Sequence, residues 1–402
     1  MIDLLKLALI LAITIFLLSR KWDLGLILLL DTALAALLYL YPPLATLRSV
    51  FEGIIAKDTL NLVGAVFLML TLAELLRRTE SMERMVVALQ TVVPDNRIVL
   101  ALVPAVIGLM PMIGGAMFSA PMINGIGTRL KLAPARKTFV NYWFRHAMEY
   151  VWPLYTSVLL TATLVGITAD AFIGASYPLS LAAVAGGTVW GLVGIPRQVD
   201  RENGKSKRAA WRDLLFSVWP LLLVILLVVA LGLNMLLSLM SVIVLFVLVK
   251  RIGPGQWWDV LKRSFPPRTF SAILGVMIFK RVLEDAGAAQ AIPAALSGLG
   301  LPPLVVAFVV PHITGLLTGT PPATIALSIP LVAPLMSMSE LDLAASAVWM
   351  FAGAFSGIML SPLHLCLALT REYFGANWGR LYRYIAPSTA LVIAVALVLV
   401  LL

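Results

Sequence analysis

The sequence predicts an all-α polytopic membrane protein, and three observations support that fold class. The chain has 402 residues, of which 61% are hydrophobic and only 12% are charged, whereas soluble proteins carry about 25% charged residues. Apolar runs of about 20 residues recur along the chain, and each can cross the hydrocarbon core as a helix. The polar residues are confined to short connections, so no soluble domain of useful size remains.

About ten segments have the length and composition of membrane-spanning helices. Only helices and closed barrels satisfy the backbone inside a bilayer, and these long runs lack the short alternating pattern of a barrel strand. The first run has no basic segment before it and is expected to stay in the mature protein. The predicted spans are 2–19, 22–41, 58–77, 137–167, 170–194, 213–231, 233–250, 269–288, 343–370 and 384–401.

Two further apolar stretches are interrupted in the middle. The first covers about 97–130 and is broken by Pro111-Met112-Ile113-Gly114-Gly115, and the second covers about 301–338 and is broken by Thr318-Gly319-Thr320-Pro321-Pro322. Proline and glycine interrupt a helix, and each half alone is near or below the length needed to cross. We therefore predict two re-entrant helical hairpins, each buried in protein or beside a water-filled cavity.

The same elements recur in the second half of the chain, in the same order. Each half has five predicted crossings, so the second copy is expected to be inverted, as in many transporters. The predicted organisation is a first repeat (1–195), a linker (196–212) and a second repeat (213–402), with broken helices at about 137–167 and 343–370. The matching positions are Gly64 with Gly275, Pro104 with Pro311, and Trp152-Pro153 with Ser361-Pro362.

Charge placement predicts the orientation. The net charge of +10 could indicate nucleic acid, but the Lys and Arg residues lie in short loops, where they encode topology in an inner membrane. The rule predicts that the 197–212 loop is cytoplasmic and that both termini are outside. The single cysteine, Cys366, excludes an intrachain disulfide framework.

Three segments carry a family resemblance: 108–123 (GLMPMIGGAMFSAPMI), 141–155 (NYWFRHAMEYVWPLY) and 311–331 (PHITGLLTGTPPATIALSIPL). They resemble the ion-transporter superfamily, which includes dicarboxylate, citrate and gluconate permeases, and within it the ten-span domain-of-unknown-function family 401. The resemblance implies a re-entrant hairpin and a broken helix in each half. The Ser-Asn-Thr hairpin tips of the sodium-dicarboxylate branch are absent here, so neither sodium coupling nor a dicarboxylate is implied.

The hairpin tips and one buried cation are the candidate solute-binding residues. A helix that begins at a tip points its positive end into the cavity, which suits an anion, and tip hydroxyls could donate hydrogen bonds. The alternative is ordinary packing of small residues between membrane helices. The candidates are Gly114, Gly115, Ser119, Arg145, Thr318, Gly319, Thr320 and Thr324.

Buried ionisable residues are the candidates for a coupling ion or proton. Arg145, His146 and Glu149 lie inside a predicted span, where charges are costly and usually functional; Arg145 and Glu149 are four residues apart and can pair. The alternative is a purely structural ion pair. Histidine suits proton coupling, so His312 and His364 join this group. No chain spacing resembles a zinc site, so no metal and no cofactor are expected.

These patterns predict a secondary active transporter of a small, anionic organic solute. We expect a proton or cation gradient to drive it, with elevator-like alternating access. The alternatives are an ion channel and a non-transporting membrane scaffold. An enzyme is not expected, because the Gly-x-Ser-x-Gly and His-Glu-x-x-His patterns are absent. The expected partners are the lipid bilayer and a small solute; nucleic acid is not expected, and a homodimer is left open.

Overall fold

The computed structural model describes residues 2–20, 22–109, 115–197, 206–287, 302–337 and 341–402. Over these residues the chain is helical, joined by short turns, which confirms the predicted all-α fold class. The inverted orientation of the two halves, the domain boundaries and the ten-crossing topology stay predictions.

Nineteen helices are numbered here within the described residues. The first ten are α1 (Ile2–Ser19), α2 (Leu24–Leu38), α3 (Pro43–Ile55), α4 (Lys57–Arg78), α5 (Ser81–Val92), α6 (Asn96–Gly108), α7 (Ala116–Arg129), α8 (Pro134–His146), α9 (Thr156–Val165) and α10 (Ala169–Gly186). The others are α11 (Lys207–Ile225), α12 (Met235–Lys250), α13 (Pro254–Arg263), α14 (Pro267–Asp285), α15 (Pro303–Thr318), α16 (Pro321–Ser337), α17 (Leu343–Leu360), α18 (Leu365–Phe374) and α19 (Trp378–Leu401). A π-helical stretch follows α10 (Gly187–Leu192) and another follows α11 (Leu226–Ala230).

Each half contains a helical hairpin followed by a broken helix. The hairpins are α6–α7 and α15–α16, and in each the two helices pack against one another. The broken helices are α8–α9, interrupted over 147–155, and α17–α18, interrupted over 361–364. Both interruptions contain a proline, Pro153 and Pro362, which removes a backbone donor and favours a break.

In both halves the first hairpin helix packs on the first part of the broken helix through glycine. A side chain at Gly108 of α6 would collide with the backbone oxygen of Arg145 in α8. A side chain at Gly357 of α17 would likewise collide with the backbone oxygen of His312 in α15. These close approaches hold each hairpin in a fixed position beside its broken helix, which fixes where the tips lie.

The helices form two groups, which we call the scaffold group and the hairpin group. In the scaffold group α14 packs on α2, α3 and α4, and α4 also packs on α12 and α13. In the hairpin group α8 packs on α6, α7, α18 and α19, while α16 packs on α9, α15 and α17. The hairpin group therefore combines elements from both halves of the sequence.

Five helical stretches in the described part of the chain are long and apolar enough to cross a membrane, by length and composition alone. They are Lys57–Arg78, Ala169–Leu192, Lys207–Val228, Leu343–Phe374 and Trp378–Leu401. Shorter apolar helices, including Leu24–Leu38 and Met235–Lys250, fall on further predicted spans. The chain is thus suited to a membrane, and the predicted number of crossings remains to be measured.

Three helices lie where sequence analysis assigned only connections: α3, α5 and α13. Two of them begin with proline at the first helical position, Pro43 and Pro254, where its fixed backbone angle favours a helix start. Their mixed apolar and charged composition kept them below the hydrophobicity of a span. A search for spans therefore overlooks them.

Candidate solute-binding site

One large cavity lies between the scaffold group and the hairpin group. Its volume is about 650 Å³, which lies within the usual range for a small-molecule site. The scaffold side is lined by residues of α14 and the start of α2, including Asp23, Arg268 and Thr269. The opposite side is lined by both broken-helix interruptions and by the tip of the second hairpin.

The tip of the second hairpin is held in place by several contacts. Gly319 has a φ of 63°, a left-handed conformation that favours glycine. The Thr318 and Thr324 hydroxyls are 2.7 Å apart, and Thr324 donates to the Thr320 carbonyl at 2.9 Å. The backbone oxygen of Gly319 also lies 2.7 Å from Nδ1 of His364. The tip is therefore tied to the interruption of the second broken helix.

Three helix N-termini border the same cavity. They are the starts of α9 at Thr156, of α16 at Pro321 and of α18 at Leu365. The first turn of a helix has backbone N–H groups without partners in the helix and carries a partial positive charge. Three such ends around one cavity create a site that favours a negatively charged group.

A buried charged cluster lies on the wall of the cavity. Nη1 of Arg145 is 3.7 Å from Oε1 of Glu149 and 3.4 Å from the hydroxyl of Tyr155. The Arg145 and Glu149 side chains are 3% and 5% exposed, so they are screened little by water. The Tyr155 hydroxyl donates to the backbone oxygen of Gly108, which links the first broken helix to the end of α6.

Two candidate histidines meet across the two halves of the chain. Nε2 of His146 is 3.1 Å from Nε2 of His364, and both rings are buried. The Sγ of Cys366 lies near them, with the three ligand-type atoms within 4.8 Å of one another. The nitrogen–nitrogen separation is that of a hydrogen bond, and the Arg145 guanidinium beside the rings repels a divalent cation. We therefore assign no metal to this group.

Four of the predicted solute residues and three of the predicted proton residues come together or lie beside this cavity. Arg145, Gly319, Thr320, His146, Glu149 and His364 line it, and Thr324 bonds to the tip from within α16. Thr318 bonds to Thr324 at the same tip.

The remaining candidates lie elsewhere. Ser119 is buried in α7 and donates to the backbone oxygen of Ala116, and Gly115 precedes that helix; neither lines the cavity as described. Nδ1 of His312 lies 2.8 Å from the hydroxyl of Ser356, and the ring stacks on Phe308. Gly114 and most of the first hairpin break lie outside the described residues.

Sequence analysis missed several residues of the cavity. It treated Cys366 only as a lone thiol, although the fold places it beside the histidine pair. Tyr155 lies in a quoted motif but was given no role, and its hydroxyl reaches both Arg145 and α6. Asp23 and Arg268 lie at predicted helix starts, where charges are common, so neither had a signal that separated it from an ordinary interfacial residue.

Comparisons with known proteins agree with a membrane fold. A solved structure of MtrF from Neisseria gonorrhoeae, described as illuminating a class of antimetabolite efflux pumps, is similar with a TM-score of 0.58 and 14% sequence identity. The similarity covers 88% of this chain and 82% of that chain. No curated protein matches. A family model described as "Protein of unknown function (DUF401)" matches residues 3–402.

Proposed function

We propose that this chain, which belongs to the DUF401 family of proteins of unknown function, is a secondary transporter of a small organic anion. The proposal rests on the cavity between the scaffold and hairpin groups. The fold similarity to an efflux pump supports a transport role and carries no information on the solute of this chain.

The convergence of three helix N-termini with Arg145 is the observation that favours an anion. The starts of α9, α16 and α18 and the Arg145 side chain all border one cavity. In a water-poor site each of these groups stabilises a negative charge more strongly than it would at a surface. A carboxylate that binds there would contact the second hairpin tip at Gly319 and Thr320. Sugar acids and small carboxylic acids fit this chemistry and the volume of the cavity.

The cavity would load from the cytoplasm in this conformation. It extends to Trp22, Asp23, Pro266 and Arg268, and charge placement predicts that these connections are cytoplasmic. Its position between the two helix groups suits elevator-like movement of the hairpin group past the scaffold group. Such a movement would carry the site across while each group keeps its own packing.

A gradient is the energy source that fits the sequence. The chain has no Gly-x-x-x-x-Gly-Lys phosphate-binding loop, so the transporter would be driven by an ion or proton gradient. A channel would need a continuous pore, and a scaffold would have no use for a buried Arg145 and Glu149 beside a cavity. Both alternatives are weaker for these reasons.

A double variant of the buried pair tests the proposal. Removing one partner, as in Arg145→Met or Glu149→Gln, strands a buried charge and should destabilise the protein by about 3–5 kcal/mol. The double variant should recover much of that stability. We expect purified wild-type protein to be stabilised thermally by at least one member of a panel of succinate, citrate and gluconate. The stable double variant should show no such rise in melting temperature.

An ion pair outside the cavity supplies the matched control. Arg281 and Glu52 are 2.5 Å apart with side chains 39% and 31% exposed. The double variant Glu52→Gln with Arg281→Met should cost little stability, because exposed pairs contribute about 0–1 kcal/mol, and should keep the anion-dependent rise. If the Arg145/Glu149 double variant also keeps the full rise, Arg145 does not bind the anion and the proposal is wrong.

A further inference from the structure

The contacts of His146 and His364 require one more proton than two neutral imidazoles carry. Nδ1 of His146 lies 2.6 Å from the backbone oxygen of Tyr142, and Nδ1 of His364 lies 2.7 Å from that of Gly319. A carbonyl oxygen only accepts, so each Nδ1 must carry a hydrogen. The Nε2–Nε2 contact at 3.1 Å then needs a third hydrogen between the rings.

Two neutral rings leave one of these three contacts without a proton. If both Nδ1 atoms are protonated, two Nε2 lone pairs face each other at hydrogen-bond distance, which is repulsive in a buried site. If one ring takes the other tautomer, its Nδ1 lone pair faces a carbonyl lone pair instead. A single extra proton satisfies all three contacts at once. The pair then consists of one imidazolium and one imidazole joined by an N–H···N bond.

We propose that His146 and His364 form a proton-binding site that holds one exchangeable proton between their Nε2 atoms. The site joins the two halves of the chain, since His146 ends α8 and His364 precedes α18. Because His364 also bonds to Gly319, the proton sits one hydrogen bond away from the tip that borders the solute cavity.

Charged and titratable groups surround the pair on several elements. Glu149 favours the proton, since its Oε1 is 3.9 Å from Nε2 of His146, whereas Arg145 opposes it. With Arg145, Glu149 and one proton on the pair, the cluster has one net positive charge, which an anion can neutralise. The groups that face the pair or share its cavity are Tyr142 and Arg145 on α8, Glu149 and Tyr155 in the following interruption, Cys366 on α18, Asp23 before α2, and Arg268 on α14.

This charge balance has a consequence for transport, and the consequence rests on the proposed function. A bound proton strengthens anion binding, and by linkage a bound anion strengthens proton binding to the same degree. The two would therefore cross the membrane in the same direction. The proton-binding site itself needs no solute to be tested.

Nitrogen-15 NMR of histidine-labelled protein in lipid nanodiscs tests the site directly, because the chain has only three histidines. His312→Asn assigns the third ring, which lies outside the cavity. We expect both rings of the pair to keep a protonated Nδ1 while their Nε2 signals move together through one proton step as pH is varied. His364→Gln should move the midpoint of His146 by about one pH unit or more, as for any strongly coupled pair.

The same spectra contain the control. The midpoint of His312 should be unchanged by His364→Gln, because its ring contacts Ser356 and Phe308 and not the pair. The proposal is overturned if His146 and His364 titrate in independent steps, if either carries its hydrogen on Nε2 with Nδ1 bare, or if the midpoint of His146 ignores His364→Gln. Any of these results would leave the anion-transport proposal standing, since it is tested by thermal stabilisation with a separate variant.

Discussion

At the scale of single residues, Gly319 is under two separate constraints. Its φ of 63° strains any L side chain, and a Cβ at this position would lie 2.7 Å from the backbone carbon of Leu363. The first constraint is local to the turn. The second means that the tip and the second broken helix share a backbone-to-backbone contact, which positions the tip at the cavity.

Replacing Gly319 by alanine should therefore cost more than left-handed strain alone. Gly375 is the matched control, because its φ is 65° but no atom lies near its would-be Cβ. Both variants incur about 1–2 kcal/mol of strain, and we expect Gly319→Ala to lower the melting temperature further and to abolish the anion-dependent rise. Gly375→Ala should retain that rise. Equal melting temperatures and equal anion responses in the two variants would show that the Leu363 contact is unimportant.

The sequence predicted single residues when their signal was local. Arg145 and Glu149 are visible because two charges four residues apart stand in an apolar run. The contact of His146 with His364 spans 218 positions, and no local pattern encodes it. The same holds for Cys366, which gains its neighbours only when the two broken helices meet.

At the scale of elements, proline and glycine made the hairpins and broken helices predictable. The predicted interruptions near Trp152-Pro153 and Ser361-Pro362 fall inside the non-helical stretches 147–155 and 361–364. The predicted second hairpin covers α15 and α16 with its break at the expected tip. Helices α3, α5 and α13 were not predicted, since short amphipathic helices lack the long apolar runs that identify spans.

Labelling of introduced cysteines tests whether the second hairpin is re-entrant. In a Cys366→Ala background, cysteine at exposed Pro302 and at exposed Leu341 should both react with an impermeant maleimide from outside the cell. The reason is that a re-entrant hairpin returns to the side from which it starts. Cysteine at exposed Ser206, in the predicted cytoplasmic linker, should react only after the membrane is made permeable. Labelling of Pro302→Cys and Leu341→Cys from opposite sides would contradict the re-entrant hairpin.

At the scale of the whole molecule, the site exists only because the two halves are packed together. The cavity takes Arg145 and Glu149 from the first half, and Gly319, Thr320 and His364 from the second. The scaffold group closes it with α2 and α14, which again come from different halves. Neither half alone encloses the site. A sequence repeat could suggest such an arrangement, but which side chains meet depends on packing that the sequence pattern does not specify.

Flux through reconstituted protein tests the central claim most directly. Proteoliposomes would be given an inward proton gradient and the radiolabelled acid, among succinate, citrate and gluconate, that stabilises the protein most. We expect saturable accumulation by wild-type protein and by the Glu52→Gln/Arg281→Met control, and none above empty liposomes for Arg145→Met/Glu149→Gln. Equal accumulation by the two double variants, or no wild-type accumulation of any of the three acids, would contradict anion transport through this cavity.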